Sequence, residues 1–391
     1  MFNSICIKFH KKTFPTDLGI IAESLLYYQQ VIIIGSADIL PPILNGISKE
    51  VLVELFLNGS LRICVLRDFL AATGKSTDFG SIPASIMRLE PADYTTEDKL
   101  FKELYESNGR RGFSKKLLAN ILPYIEFIKY PPNIDKLIIE DLHDSNYAKS
   151  VFIQTIKSHI PDYNRQPEEF ILRFTEGKGN NFGFQTSLNF NELNKRIPNN
   201  PKGDKFNPVS IVTNIQEARG DLHLASTYNS EIVTNPYANS FIEIKFSDIY
   251  QKLTKSRGTI QQFNEFTLND GFAIREGINS GQYSFDEFLK ILNQAVKFKK
   301  WLHEKPDDAN LIREYHEAVT KDTWVEKLPA KALRWSIFTG IGLALDATIT
   351  GGVATAIATG LGIGDTFLLD KIIKGWKPNM FIEKELKGFK K

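Results

Sequence analysis

Val31-Ile32-Ile33-Ile34, closed by Gly35-Ser36, is a continuous β-branched run that ends in a turn. Such a run leaves no polar face, which is the pattern of a strand buried on both sides of a parallel sheet. Working outward, Ile5-Cys6-Ile7-Lys8-Phe9 reads as a shorter strand before it, and Leu61 to Leu66 as a third strand after it. The residues between carry helical spacing. Thr16-Asp17 offers an N-cap ahead of Leu18, Ile21, Ala22, Leu25 and Leu26, and a second helix is expected from about Ser48 to Leu57, stopping at Asn58-Gly59. Strands separated by helices predict a small parallel sheet.

After Gly74 the pattern turns mostly helical, with segments expected near 95–107, 114–128 and 148–158. Ile211, Ile215, Ala218, Leu222 and Ala225 place a helix over 209–229. Ser284-Phe285-Asp286-Glu287 is a capping box that opens a helix running to Trp301-Leu302. Ahead of both, from Gly177 to Pro208, the chain is rich in Asn, Gly and Pro, the chemistry of turns. The expected organisation is therefore an α/β domain over 1–175, a linker or surface loop over 176–208, a mostly helical domain over 209–332, and a Gly-rich apolar hairpin with a basic tail over 333–391. The fold class is α+β, predominantly helical.

Composition narrows the function. The 391 residues hold 42% hydrophobic and 24% charged residues, as a folded globular chain does. Lys and Arg number 48 against 46 Asp and Glu, a net of +2 that disfavours a dedicated nucleic-acid binder. Cys6 and Cys64 are the two cysteines, so a disulfide framework is excluded and a reducing compartment fits better. Lys8, His10, Lys11 and Lys12 interrupt the apolar start, so no signal peptide is read there and a cytoplasmic chain is expected.

The unusual segment is near the C-terminus. Between Arg334 and Lys371 there is no Lys or Arg, and Asp346 and Asp365 are the only charges. Small residues recur every fourth place at Ser336, Gly340, Ala344, Thr348, Gly352, Ala356, Gly360 and Gly364. Interior glycines weaken a helix in water by about 1 kcal/mol each, but they let two helices approach closely. Gly351-Gly352 is a natural turn, which predicts a helical hairpin of 336–349 against 353–369. Lys327, Lys331 and Arg334 precede it and Lys371, Lys374 and Lys377 follow it, with Trp335 and Trp376 at the two ends where a headgroup boundary would fall. The first leg spans only about 21 Å at 1.5 Å per residue, short of the roughly 30 Å hydrocarbon core. Conditional or interfacial association with the inner face of a membrane is one reading. A hairpin buried in a core or in a subunit interface, within a homo-oligomer or against a protein partner, is the other. In texture, some 35 residues resemble the hydrophobic hairpin of pore-forming bacterial toxins of the colicin type. That resemblance implies a bacterial effector, a toxin or antiviral-defence protein that perturbs a bilayer, and it assigns no residue roles.

Other patterns are shorter. Phe241-Ile242-Glu243-Ile244-Lys245-Phe246 reads as a strand carrying Glu-x-Lys, which in metal-dependent nucleases of the restriction-endonuclease type pairs a Mg²⁺ ligand with a lysine beside the attacking water. Asp221 stands where the required upstream carboxylate would be, but inside a helical pattern. Gly74-Lys75-Ser76 ends like a phosphate-binding loop, yet the position five residues earlier is Phe69 rather than glycine. Arg110, Arg111, Lys115 and Lys116 surround an expected helix start at Ser114, a place for phosphate or an acidic partner as well as for a solvated turn. No metal-ligand spacing, nucleophile elbow or cofactor motif is read, so the sequence leans away from an enzyme.

Overall fold

The computed structural model describes residues 3–11, 13–74, 80–89, 96–177, 181–197, 207–254, 263–303, 309–321, 323–338, 365–373, 376 and 380–382. The chain opens with β1 (Ser4–Lys8), α1 (Leu18–Tyr27), β2 (Gln30–Gly35), α2 (Leu40–Gly46), α3 (Lys49–Leu57) and β3 (Leu61–Leu66). β1 and β2 pair in parallel with Ile7 opposite Ile33, and β2 and β3 in parallel with Ile33 opposite Ile63. The expected N-cap is in place, Asp17 Oδ1 accepting from Ile20 N at 2.9 Å, and the helix expected from about Ser48 is capped by Ser48 itself, whose Oγ accepts from Val51 N at 3.4 Å.

β4 (Phe69–Gly74) and β5 (Gly80–Leu89) follow, then α4 (Thr96–Asn108), α5 (Arg111–Ile121) and β6 (Ile125–Ile128). The helix expected over 114–128 stops at Ile121, because Pro123 removes a donor and forces a 3₁₀ turn over Leu122–Tyr124 before the chain extends into β6. α6 (Ile134–His143), α7 (Ser145–His159), β7 (Leu172–Glu176), β8 (Asn181–Thr186) and α8 (Phe190–Arg196) come next. The stretch read as linker or loop over 176–208 thus carries a strand and a helix, and it buries Phe182, Phe184, Leu188 and Phe190. Gly183 permits close strand approach there, since a Cβ on it would lie 2.8 Å from Thr175 Oγ1.

The second half holds α9 (Pro208–Thr227), β9 (Glu231–Val233), α10 (Pro236–Thr254), β10 (Phe263–Phe272), α11 (Ile274–Asn279), α12 (Phe285–His303), α13 (Ala309–Thr320), β11 (Ala330–Phe338), α14 (Thr366–Ile373) and β12 (Met380–Ile382). The expected strand Phe241–Phe246 lies inside α10. Its alternation is overridden by the longer stripe of Ala238, Ile242, Phe246 and Ile249, all buried at helical spacing. Of the expected hairpin, 336–338 belong to β11 and 366–369 to α14. Gly340, Ala344, Gly352, Ala356, Gly360 and Gly364 lie outside the described residues.

One sheet runs β10-β11-β12-β9-β1-β2-β3-β6, and a second, antiparallel one runs β4-β5-β8-β7. Within the first, β9, β1, β2, β3 and β6 are mutually parallel. Ile5, Ile7, Val31 and Ile33 face one helical layer that includes α1, α3, α11 and α12, while Cys6, Ile32, Ile34 and Cys64 face another that includes α6, α7, α9 and α10 together with the second sheet. Burial on both faces is the reason those strands read as unbroken apolar runs. The chain is α+β and predominantly helical, and among the described residues no helix is long and apolar enough to cross a membrane.

Candidate functional site

From β1 the chain crosses through α1, on one face of the sheet, to β2. β9 lies on the opposite side of β1 and leads into α10, on the other face. The loops leaving β1 and β9 therefore diverge, and the carboxyl ends of these two strands form the topological switch point where open α/β sheets place their ligands. A cavity of about 550 Å³ occupies that place, lined by the β1–α1 loop (Phe14, Leu18), by Pro236 at the start of α10, and by Pro42, Arg275 and Ile278.

Local chemistry builds its walls. His10 and Phe14 exchange backbone hydrogen bonds at 2.7 and 2.9 Å, folding the loop after β1 into a tight turn, and the Phe14 ring stacks on Phe9 at 5.4 Å. Asp17 accepts from Ile20 N, from Asn279 Nδ2 at 2.8 Å and from Arg275 Nε at 2.7 Å, while Asn279 Oδ1 accepts from Gly19 N at 2.9 Å. These bonds fasten α11 to the first turn of α1. The contact is close enough that only glycine fits at 19, since a Cβ would fall 2.4 Å from the Arg275 carbonyl oxygen.

A polar rim continues along the strand ends. Lys8, the last residue of β1, pairs with the fully buried Asp221 of α9, whose second oxygen accepts from Thr234 Oγ1 just after β9. Asn235 Nδ2 donates to Glu217 at 3.1 Å, and Asn235 Oδ1 caps α10 through Ala238 N at 3.0 Å. Beyond β3, Asp68 accepts from Tyr130 N and pairs with Arg88, and Arg88 NH2 donates to the Tyr130 carbonyl at 2.7 Å. Burial would lower the pKa of Lys8, but the Asp221 carboxylate outweighs it and holds the amine protonated above its usual range. Burial pushes Tyr130 up to about 12 against the pull of Lys8, so both groups stay protonated at neutral pH.

The arrangement says what the crevice holds poorly. No glycine lies between Phe9 and Asp17, and the N-termini of α1 and α10 are capped by their own side chains, Asp17 and Asn235. A phosphate needs free amides and a positive helix end. Here a carboxylate occupies one of them.

The residues singled out from sequence fall in different places. Glu243 and Lys245 ride on α10, so the strand that a Glu-x-Lys nuclease site requires is absent there. Lys245 is buried, with Nζ 2.7 Å from Asp141 and 4.8 Å from the centre of the Tyr147 ring. Asp141 also takes a two-pronged contact from Arg219, and Arg219 NH1 meets Asp365 at the start of α14. Burial alone would raise the pKa of Asp141, yet Arg219 and Lys245 overcome it and lower it. Asp221 serves the separate pair with Lys8. Among the described residues no cluster of three His, Cys, Asp or Glu could hold a metal. Trp376 is buried edge-on against Phe246 and donates to the Ser230 carbonyl at 3.0 Å, inside the fold rather than at a boundary. Trp335 lies in β11 opposite Phe266 and Phe381. Arg110, Arg111, Lys115 and Lys116 are all exposed around the start of α5. As site residues, sequence reading missed Lys8, Asp68, Tyr130, Thr234 and Arg275, and it read Asp17 only as a helix cap. Its available signal was position, a polar residue directly following an apolar strand, as in Ile7-Lys8 and Val233-Thr234.

No family model matches the chain, and neither a curated protein nor a solved structure matches it.

Proposed function

We propose that the chain is a small-molecule-binding protein whose ligand sits in the crevice between the β1–α1 loop and the start of α10. The observation that carries this reading is the coincidence of the switch point with a cavity of about 550 Å³. That volume lies within the roughly 300–1,000 Å³ of small-ligand sites. The walls are apolar at Phe14, Leu18, Pro42, Pro236 and Ile278, with one polar stretch at Asp17, Arg275 and Asn279. Asp17 and Arg275 neutralise each other. With the starts of α1 and α10 already capped, the fitting ligand is of nucleoside size and uncharged or weakly cationic, and the glycine-free β1–α1 turn offers no phosphate-binding loop.

The test is thermal denaturation against a panel of nucleosides, nucleobases and aromatic amines, each beside its phosphorylated form. A ligand at 100 times its Kd stabilises by about 2.7 kcal/mol. For a chain this long that is a rise of about 3 °C. Ile278→Trp, which fills the cavity, should abolish the rise, and Val296→Ser, on an exposed site of α12, should keep it. A ligand whose shift survives Ile278→Trp and Phe14→Ala, or that binds only when phosphorylated, refutes the reading.

A second reading rests on the small residues at every fourth place of 339–364, which would serve a bacterial effector as a hairpin that meets the bilayer conditionally. What supports the reading is that both flanks are anchored in the fold, one as β11 in the sheet and the other through Asp365 on Arg219. Vesicle flotation and leakage compared between wild type and Gly360→Leu test it. Leakage that is absent in every condition, or unchanged by the substitution, ends it.

A further inference from the structure

We propose that the tip formed by the end of α4 and the start of α5 is a docking surface for an anionic bilayer. Between Glu106 and Glu126 the chain contains Arg110, Arg111, Lys115 and Lys116 and no acidic residue. The structure makes these cations a built feature. Gly109 turns the chain at φ +68°, its N–H donating to the Tyr105 carbonyl at 2.8 Å. Asn108 Oδ1 then accepts from Arg110 N at 3.1 Å and from Ser114 Oγ at 2.7 Å. Ser114, Leu118 and Ile121 are buried, Lys116 lies on the face of α5 opposite to them and Lys115 beside it, while Arg110 and Arg111 precede the buried turn, and all four cations are exposed.

Two aromatic rings stand beside the cations. Phe113 is 54% exposed and Tyr105 42%, the latter stacked on Phe101 at 6.2 Å. Phe113 projects from the first turn of α5 with no Cβ on Gly112 to shield it, and a Cβ built there would meet nothing within 4 Å. A helix start that exposes cations and an unshielded ring suits a broad, negatively charged partner whose boundary accepts an aromatic side chain. An anionic leaflet offers both, attracting each basic residue by an amount equivalent to about fivefold in partitioning. Nucleic acid would be held through a basic stripe or a stacking groove, and the four cations here occupy seven residues at the start of a single helix. The surface involves none of residues 339–364, so it stands independently of the hairpin reading.

The experiment is co-sedimentation of the full chain with phosphatidylcholine vesicles and with vesicles containing 30% phosphatidylserine, in about 0.05 M and 0.5 M NaCl. Binding is expected to the anionic vesicles at low salt, with loss at high salt as charges are screened. Arg111→Glu/Lys116→Glu should reduce partitioning more than a hundredfold. Phe113→Ser should reduce it several-fold while leaving the salt dependence in place, and Gly360→Leu should leave it unchanged. Because all the substituted tip residues are exposed, circular dichroism and melting temperature should match wild type. The proposal is overturned if neutral vesicles bind as well as anionic ones, if the charge reversal binds like wild type, if Gly360→Leu alone removes binding, or if a 40-nucleotide duplex or single strand is retained through these cations while vesicles are not.

Discussion

Arg219→Leu is the sharpest test of what holds the second half of the chain together. Arg219, Asp141, Lys245 and Asp365 are all less than 5% exposed, so their charges are compensated mainly by one another, with Asp144 adding a longer contact to Lys245 at 3.9 Å. Asp141 keeps Lys245 at 2.7 Å when the guanidinium is removed, but Asp365 loses the cation it meets. Breaking a buried pair from one side costs about 3–5 kcal/mol because a charge is left in a low-dielectric interior. At about 2.1 cal/mol/K per residue the unfolding entropy of this chain is about 0.8 kcal/mol/K, so the melting temperature should fall by about 4–6 °C. Asp365 also caps α14, accepting from Leu368 N at 3.0 Å, which makes Asp365→Asn the right partner substitution: it keeps the cap and removes the charge. Arg219→Leu/Asp365→Asn should then be more stable than Arg219→Leu alone, since the stranded charge is gone. The lowered pKa of Asp141 adds a pH signature: its contribution is present above the ordinary carboxylate range and is lost as pH falls through and below it. The assay is calorimetry from pH 3 to 7 on the wild type and the variants. A drop of less than about 1 °C for Arg219→Leu, or a double variant as unstable as the two single losses added, refutes the reasoning.

Two more outcomes follow from the first helical layer. Burial pushes Glu23 up to about 7 from 4.5, so its contribution to stability is complete below pH 4.5 and is lost as pH rises to 7. Burial pushes Lys299, whose Nζ donates to the Leu25 carbonyl at 2.8 Å, down to about 7 from 10.5, so its contribution is complete above 10.5 and is lost as pH falls to 7. Melting temperature plotted against pH should therefore pass through a minimum near 7, with Glu23→Gln flattening the acid limb and Lys299→Met the alkaline one. A flat wild-type profile, or limbs indifferent to these substitutions, would contradict the assignment. Gly19→Ala forces backbone apart where α1 meets α11 and should lower stability by about 1–3 kcal/mol. Gly59→Ala, at φ +75° in open space, involves backbone conformation alone and should cost about 1 kcal/mol, and equal effects in thermal melts would refute the contact.

The parts of this fold that sequence revealed are those decided locally. β1, β2 and β3 are legible because burial on both faces imposes unbroken apolar runs, and the caps at Asp17, Ser48 and Ser284 are legible because a cap is a contact over three residues. β9 spans only Glu231–Val233, and it is a strand because Ile232 pairs with Cys6 across most of the chain. α10 misled because six residues of alternation looked like a strand until nineteen residues showed a helical stripe. The crevice has little linear signature beyond a polar residue at the end of an apolar strand, as in Ile7-Lys8 and Val233-Thr234. Lys8 and Asp221 lie 213 positions apart, and Asp17 and Arg275 lie 258 apart, each supplied by a different strand end or helix.

The same long-range construction changes how the C-terminal segment must be studied. β11 pairs with β10, β12 joins β11 to β9, and β9 lies directly against β1. Leu368, Leu369 and Trp376 are buried in the core on the α9 face, and Asp365 meets the Arg219 charge. Cutting the chain at Lys331 would therefore strip β9 of its neighbour, uncover apolar surface and leave Arg219 half-compensated. An unpaired, apolar strand edge invites association between chains. Insolubility or new oligomers of such a truncation would follow from the sheet alone and would say nothing about lipid. Substitutions within 339–364 leave β11, α14 and β12 intact, so any change they produce in vesicle binding belongs to that segment.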